Sequence, residues 1–249
     1  MSVRLERLLV LIPAYNEQAA IGQVVSGARE AVPRADVLVI DDGSIDNTAH
    51  EAEAAGAFVV RHPFNLGIGG AVQTGLKFAQ RGDYDAVIRL DGDGQHNPSD
   101  IPTLYSILET DHVDVVFGSR FLDTTKSMQI PLLRWLGICA FAALVSLLTG
   151  RRVTDTTSGF SAMNRRAVDA LATYMPQDYP EVESRIVLHK AGLKTLELPA
   201  RMRARLTGVS SINSWRSIYY ALKVSVAVLI GSLKDIPRLP QDVANADTD

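Results

Sequence analysis

The sequence predicts an α/β protein with three layers and a mostly parallel central sheet. Along the first half of the chain, short apolar runs alternate with segments of helical composition, which is typical of repeated strand-helix-strand units. Polar residues follow several of the apolar runs. Because the carboxyl ends of parallel strands meet at one edge of a sheet, these polar residues are expected to lie together there. Predicted strands are 8–12, 37–40, 58–60, 86–90 and 113–118, and predicted helices are 19–31, 48–55, a segment ending near 80, and 98–109.

The second half of the chain departs from this alternation. Residues 134–148 predict a helix with an almost entirely apolar surface, and the following elements are predicted as a strand at 158–163, helices at 165–174 and 181–191, a strand at 193–198 and a long helix at 215–233. The chain shows no internal repeat. We therefore expect one domain at 1–212, a C-terminal helix at 213–234 and a flexible tail at 235–249.

Composition excludes some functions. The chain has 249 residues, is 47% hydrophobic and carries a net charge of −3, which argues against general nucleic-acid binding. The single cysteine, Cys139, lies in an apolar run, and a buried, reduced thiol is expected. The N-terminal residues lack the pattern of a secretory signal, and no stretch reaches eighteen uncharged apolar residues, so a cytoplasmic protein is expected.

The sequence Arg-Leu-Asp-Gly-Asp-Gly-Gln-His-Asn-Pro, residues 89–98, is the most informative segment. Asp91 and Asp93 follow a predicted buried strand directly, and the glycines beside them permit a sharp turn. Two carboxylates so placed suit a Mg²⁺ or Mn²⁺ ion that also binds a diphosphate. The alternative is a polar turn, because Asp-Gly pairs are common turn signals.

Six motifs occur in an order and spacing that identify a family. They are Val10–Glu17 (VLIPAYNE), Asp41–Asp46 (DDGSID), Asn65–Gly69 (NLGIG), Asp91–Gln95 (DGDGQ), Gly118–Phe121 (GSRF) and Ser158–Phe160 (SGF). Over about residues 8–212 the chain resembles the family 2 inverting glycosyltransferases, and among them the dolichol- or polyprenyl-phosphate sugar synthases. The resemblance implies a GT-A (Rossmann-like) fold with apolar interface helices.

The resemblance also implies a site for a nucleotide-diphosphate sugar. The residues that would bind this donor are Pro13, Ala14, Tyr15, Glu17, Asp42, Gly67, Asp91 and Gln95. Asp91, Asp93 and Gln95 would hold the Mg²⁺ or Mn²⁺ ion and the diphosphate, with Asp93 counted as catalytic. Glu17 alternatively serves as an acid at a helix N-terminus. Ile68 departs from the family pattern, since many relatives have Lys there.

The acceptor implied by the resemblance is a polyprenyl phosphate. Its phosphate would be bound by Arg120, Arg134, Ser158 and Arg205, because guanidinium groups bind phosphate oxygens in pairs. Arg120 and Asp155 are expected to be catalytic, with Asp155 orienting the acceptor or binding a sugar hydroxyl. Arg134 alternatively is a solvated charge at a helix end, and Asp155 and Ser158 alternatively are turn residues.

The apolar helix has three readings: core, partner contact or membrane surface. Its position matches the interfacial helix of the synthases, and Arg134 and Trp135 at its start are residues that favour the headgroup zone. We therefore expect a peripheral protein on the inner face of the membrane, with a separate small membrane protein as a candidate partner.

The expected reaction is inverting transfer of one sugar from a nucleotide-diphosphate sugar to a polyprenyl phosphate. A UDP-sugar is favoured over GDP-mannose as the donor. One alternative is a family 2 enzyme acting on a glycan, lipid or protein hydroxyl, which would need Asp155 or Glu183 as a general base. Another is an inactive nucleotide-sugar-binding subunit of a membrane complex.

Overall fold

The computed structural model describes residues 5–110, 112–122, 132–176, 179–202, 223–224, 226 and 228–240. The strands are β1 (Leu8–Ala14), β2 (Asp36–Asp41), β3 (Phe58–Arg61), β4 (Ala86–Arg89), β5 (Val115–Ser119), β6 (Ser161–Asn164) and β7 (Thr195–Pro199). The helices are α1 (Ile21–Ala31), α2 (Thr48–Ala54), α3 (Ile68–Arg81), α4 (Ile101–Thr110), α5 (Leu132–Thr149), α6 (Arg165–Tyr174) and α7 (Pro180–Lys190). Residues 223–224, 226 and 228–233 are also helical.

The seven strands form one mostly parallel sheet, as the sequence predicts. Their order is β3-β2-β1-β4-β6-β5-β7, and only β6 is antiparallel to its neighbours. β6 begins three residues later than predicted, at Ser161, because Ser158 and Phe160 form a local turn in which the Ser158 hydroxyl accepts a hydrogen bond from the Phe160 N–H. The carboxyl ends of β1, β2, β4 and β5 therefore meet the amino end of β6 at one edge, which we call the active edge.

β1 is the centre of the core. Its side chains alternate between two apolar layers: Val10 and Ile12 pack with α1 and α4, whereas Leu9 and Leu11 pack with α3 and α6. Every residue of β1 is buried. A strand covered on both faces has to be apolar throughout, which explains the unbroken apolar run in the sequence.

A third apolar cluster joins α5, α7 and the last helix. Phe141 and Val145 of α5 pack there against Val182 and Ile186 of α7 and against Val224 and Val228. The opposite face of α5 exposes Trp135, Cys139, Ala143 and Leu147, which recur at the four-residue spacing of one helix face. The expectation of a buried Cys139 was therefore wrong. An apolar run does not reveal which of its faces is covered.

The segment 235–240, the first part of the predicted tail, packs against the domain. Leu239 N–H donates a hydrogen bond to the Ala191 carbonyl at 3.1 Å, and the Arg166 guanidinium donates one to the Pro240 carbonyl at 2.8 Å. Residues 241–249 lie outside the described residues. Among the helices described, none has the combination of length and hydropathy needed to cross a bilayer.

The contact between α3 and β1 predicts a glycine requirement. A Cβ at Gly75 would lie 2.1 Å from Leu11 Cδ1, so Gly75→Ala should lower the free energy of unfolding by about 2 kcal/mol through overpacking. Gly22→Ala in α1 is the control, because its Cβ would approach nothing closer than 3.9 Å and should add about 0.5 kcal/mol. Urea denaturation of both variants checks this, and equal behaviour would contradict the packing argument.

Candidate active site

The ends of β1 and β2 carry the first predicted site residues. Pro13 and Ala14 close β1, and the exposed Tyr15 side chain follows them at the active edge. The loops after the two strands are interlocked: Asn16 N–H donates to Ser44 Oγ at 2.9 Å, and Glu17 N–H donates to Thr48 Oγ1 at 2.8 Å. These bonds fix the backbone around the three residues assigned to the nucleotide base.

Asp42 is buried beneath the next loop. Its carboxylate accepts hydrogen bonds from the Leu66 and Gly67 N–H groups at 2.9 and 2.8 Å, and it lies 2.7 Å from His62 Nδ1. Gly67 has a φ of +85°, a conformation that side-chain-bearing residues rarely adopt. The sequence assigned Asp42 to the base or ribose. That assignment stays a prediction; the structure shows that Asp42 holds the loop containing Gly67 against the active edge.

Asp91, the first carboxylate after β4, is held from both sides. Its Oδ1 lies 3.3 Å from Arg89 Nη2, and its Oδ2 lies 3.1 Å from His96 Nε2. Burial alone would raise the pKa of this carboxyl group, but the charge of Arg89 and the contact with His96 outweigh burial and hold the pKa well below its usual value. Asp91 is therefore a carboxylate at neutral pH, with 33% of its side chain exposed.

The sequence patterns do not identify the groups that hold Asp91. Arg89 is only 5% exposed, and its Nη2 also donates to Glu181 Oε1 at 2.8 Å, from the first turn of α7. His96 is buried and stacked on Phe160, with ring centroids 5.1 Å apart. An arginine ending an otherwise apolar strand was the one available signal, whereas nothing in the sequence linked Glu181 to β4.

The donor groups fit a divalent metal ion bound together with a diphosphate. Asp93 follows Asp91 in the same turn, and its Oδ1 accepts the Gln95 N–H at 3.0 Å, which places the predicted metal residues in one short loop. Within the described part of the chain, no three His, Cys, Asp or Glu side chains are grouped as a complete ligand set. Mg²⁺ commonly binds through one or two carboxylates and completes its shell with water and substrate phosphates, which this arrangement allows.

Arg120 and Asp155 form a buried ion pair at the active edge, between the residue that follows β5 and the loop before β6. Arg120 Nε donates to Asp155 Oδ2 at 2.7 Å and Nη2 donates to Oδ1 at 2.8 Å, so the pair is bidentate. Burial opposes ionisation of Asp155, but the hydrogen bonds and charge of Arg120 outweigh it and lower the pKa of the carboxyl group. Asp155 is fully buried. The geometry therefore favours orientation of Arg120 over direct contact with an acceptor.

The remaining acceptor residues are described in part. Ser158 is buried in its turn, and a Cβ at the adjacent Gly159 would lie 2.7 Å from Asp91 Oδ1, so this turn and the Asp91 loop touch. Arg134 lies in the first turn of α5, and its side chain is outside the described part of the structure. Arg205 lies outside the described residues altogether.

Comparison with known proteins decides the family. Residues 9–172 match the family model described as glycosyl transferase family 2. The chain belongs to this family. This glycosyltransferase is 30% identical to the undecaprenyl-phosphate mannosyltransferase of Micrococcus luteus, over 83% of this chain and 88% of that protein. It is also 30% identical to the UDP-N-acetylglucosamine–dolichyl-phosphate N-acetylglucosaminyltransferase of Methanococcus voltae, over 78% of this chain and 84% of that one.

A solved structure confirms the fold. The glucosyl-3-phosphoglycerate synthase of Mycobacterium tuberculosis, crystallised with Mn²⁺, uridine diphosphate and glucosyl-3-phosphoglycerate, superposes with a TM-score of 0.68 at 23% identity. The match covers 91% of this chain and 80% of that one. The GT-A architecture predicted from the sequence is therefore confirmed, as is membership of a glycosyltransferase family.

The Arg120–Asp155 pair predicts a pH dependence of stability. Because the pKa of Asp155 is lowered in the folded state, its stabilising effect is complete above the unfolded pKa, about 4, and is lost as the pH falls below it. Asp155→Asn should cost about 3 kcal/mol at pH 7 and progressively less towards pH 3. Urea denaturation of both proteins at each pH measures this difference, and a difference that stays constant would exclude the ion pair as its source.

Proposed function

We propose that this protein transfers one sugar, with inversion, from a nucleotide-diphosphate sugar to a polyprenyl phosphate at the cytoplasmic face of a membrane, with UDP as the preferred nucleotide. One observation carries the proposal: an ionised carboxylate, Asp91, lies against the turn at 158–160, and an oriented guanidinium, Arg120, is bonded to Asp155 and Thr157 just before that turn. The two charges suit two different phosphate groups, one bound through a metal ion and one bound directly.

The donor side consists of the ends of β1, β2 and β4. Pro13, Ala14 and Tyr15 form the base site, Glu17 and Asp42 bind base or ribose, and Gly67 approaches the donor with its backbone. A Cβ at Gly67 would meet nothing within 4 Å, so the backbone there faces open space. Asp91, Asp93 and Gln95 would hold Mg²⁺ or Mn²⁺, which supplies Lewis-acid stabilisation of the departing nucleoside diphosphate. Arg89 and His96 keep Asp91 oriented for this role.

The acceptor side favours a phosphate over a hydroxyl. A phosphate is already an anion and needs a cation to hold it in line with the sugar, whereas a hydroxyl needs a general base. Asp155 is a poor base here because both of its oxygens accept hydrogen bonds from Arg120 and its pKa is lowered. Glu183, the other base considered, is buried. The acceptor phosphate is therefore assigned to Arg120, with Arg134, Ser158 and Arg205 around it.

Two exposed apolar faces support attachment to a membrane. On α5, Leu147 is 80% exposed in line with Trp135 and Ala143. On the last helix the exposed apolar side chains are Val226, Leu229, Ile230 and Leu233. Both helices pack into the same third cluster through their opposite faces. A helix with an exposed apolar face can lie in the headgroup region of a bilayer, so direct attachment requires no separate small membrane protein.

Transfer of labelled sugar from a panel of UDP and GDP donors to short-chain polyprenyl phosphate tests the function. We expect label to enter the lipid phase with one UDP-sugar, in the presence of Mg²⁺ or Mn²⁺, and not with EDTA.

Asp93→Asn should reduce transfer at least a hundredfold while the free energy of unfolding changes by less than about 1 kcal/mol, because the residue lies in a surface loop. Unchanged turnover of Asp93→Asn would remove it from the metal site. Nucleotide binding without transfer to any phosphate acceptor would favour a hydroxyl acceptor.

The exposed face of α5 predicts a second result. Replacing Ala143 and Leu147 with Asp should release the protein from anionic lipid vesicles in a sedimentation assay, because charges are costly at the acyl boundary. The control is Ala54→Asp, an exposed alanine of α2 on the body of the domain. Vesicle binding that survives the double substitution would contradict a membrane contact through α5. Unfolding measured by circular dichroism would show instead that this face is part of the core.

A further inference from the structure

A second buried arginine lies behind the Arg120–Asp155 pair. Arg185, on α7, is 4% exposed at its side chain, and its guanidinium lies over the Phe117 ring of β5 at 3.8 Å. Its Nη2 donates a hydrogen bond to the Asp155 backbone carbonyl at 2.6 Å. Arg185 therefore binds the backbone of the residue whose side chain orients Arg120.

Glu197, on β7, completes this arrangement. Its Oε1 lies 2.8 Å from Arg185 Nη1, and its Oε2 accepts hydrogen bonds from the Thr154 N–H at 2.8 Å and the Thr154 hydroxyl at 2.6 Å. The Asp155 N–H also points to Oε1, at 3.4 Å. One carboxylate on β7 thus receives the backbone donors of two successive residues in the loop before β6.

The contacts form a continuous chain from the body of the domain to the active edge. Glu197 and Arg185 fix the backbone of residues 154 and 155, and Asp155 then holds Arg120 through two hydrogen bonds. Arg120 Nε and Nη2 are used in this way. Among the described residues Nη1 has no such partner, so it is the nitrogen left to bind an acceptor oxygen.

Stability alone does not account for so many buried charges. The group contains two arginines and two carboxylates and is neutral as a whole, but desolvation usually cancels most of the attraction within a buried ion pair. Burial holds the pKa of Arg185 below its usual value even beside Glu197 and Asp155, which shows the cost. What the chain of contacts provides is a fixed direction for Arg120, and precise placement of a cation is what in-line attack by a phosphate requires.

We propose that Arg185 and Glu197 are positioning residues for the acceptor phosphate, acting through Asp155 on Arg120. This inference rests on the proposed function, in which Arg120 binds the phosphate of a polyprenyl phosphate. Neither residue contacts substrate. Their effect is on how well the acceptor is held, and the donor site on β1, β2 and β4 is built from other elements.

The test is a double-mutant cycle on steady-state kinetics with short-chain polyprenyl phosphate. Glu197→Gln keeps the side-chain volume but removes the charge that holds Arg185, so the KM for the acceptor should rise about tenfold while the KM for the nucleotide sugar changes less than about twofold. In an Arg120→Ala background, adding Glu197→Gln should raise the acceptor KM no further. A residue with a purely structural role would lower kcat, affect both substrates, and do so in either background.

The outcomes separate the two proposals. If Arg120→Ala raises the acceptor KM but Glu197→Gln does not, or if the two effects multiply, the positioning role is wrong and the proposed function stands. If Arg120→Ala itself leaves the acceptor KM unchanged, the assignment of the acceptor to Arg120 fails and the positioning role falls with it.

A second variant, Arg185→Lys, checks that a rise in acceptor KM does not come from misfolding of Glu197→Gln. Arg185→Lys keeps the charge but lacks the planar fork that reaches both Glu197 and the Asp155 carbonyl, so it should reproduce the rise in acceptor KM. The matched control is Asp169→Asn, which removes the carboxylate from a partly exposed pair with Arg165 on α6 and should leave both KM values unchanged. A normal acceptor KM in folded Arg185→Lys would overturn the proposal.

Discussion

The active edge depends on neutralising charge where an apolar sheet ends. β4 delivers Asp91 to the edge, and the residue two positions before it, Arg89, is buried between Asp91 and Glu181. A carboxylate in this position would otherwise be destabilised by desolvation, since an uncompensated charge in the interior costs several kcal/mol. The arginine permits an ionised Asp91 at this position. The absence of a side chain at Gly159 leaves room for the carboxylate, because a Cβ there would lie 2.7 Å from Asp91 Oδ1.

On the proposed acceptor side a charge is again neutralised by a buried partner, but here the arginine is the supported group and the carboxylate is the support. There an arginine, Arg120, is the proposed functional group and a buried carboxylate, Asp155, supports it. In both places the charged group assigned to a substrate is held by a partner of opposite sign. Under the proposed function, the active edge would bind two phosphate-bearing molecules without bringing unpaired charges into the core.

The apolar runs predicted the described strands, because a sheet covered on both faces requires such runs, and the segments of helical composition predicted the described helices. The turn after β4 was equally predictable from the sequence, since its residues are neighbours along the chain. Contacts between distant segments were not. Glu197 meets Thr154, and Arg89 meets Glu181, only because of the strand order, which local patterns do not specify. The prediction that Cys139 is buried failed for a related reason: composition shows that a helix is apolar but not what covers each of its faces.

The antiparallel strand β6 divides the molecule into two parts with different prospects for change. The strands before it, β1 to β4, lead to the residues predicted to bind nucleotide and metal, whereas the loop that leads into it carries the groups around Arg120. The two parts share the core and pair through β4 and β6, and at the active edge the Asp91 loop touches the turn at 158–160. Under the proposed assignment of donor and acceptor residues, evolution would exchange one acceptor for another by altering the later segment, while the donor site is inherited intact. Diversification of this kind needs no new fold.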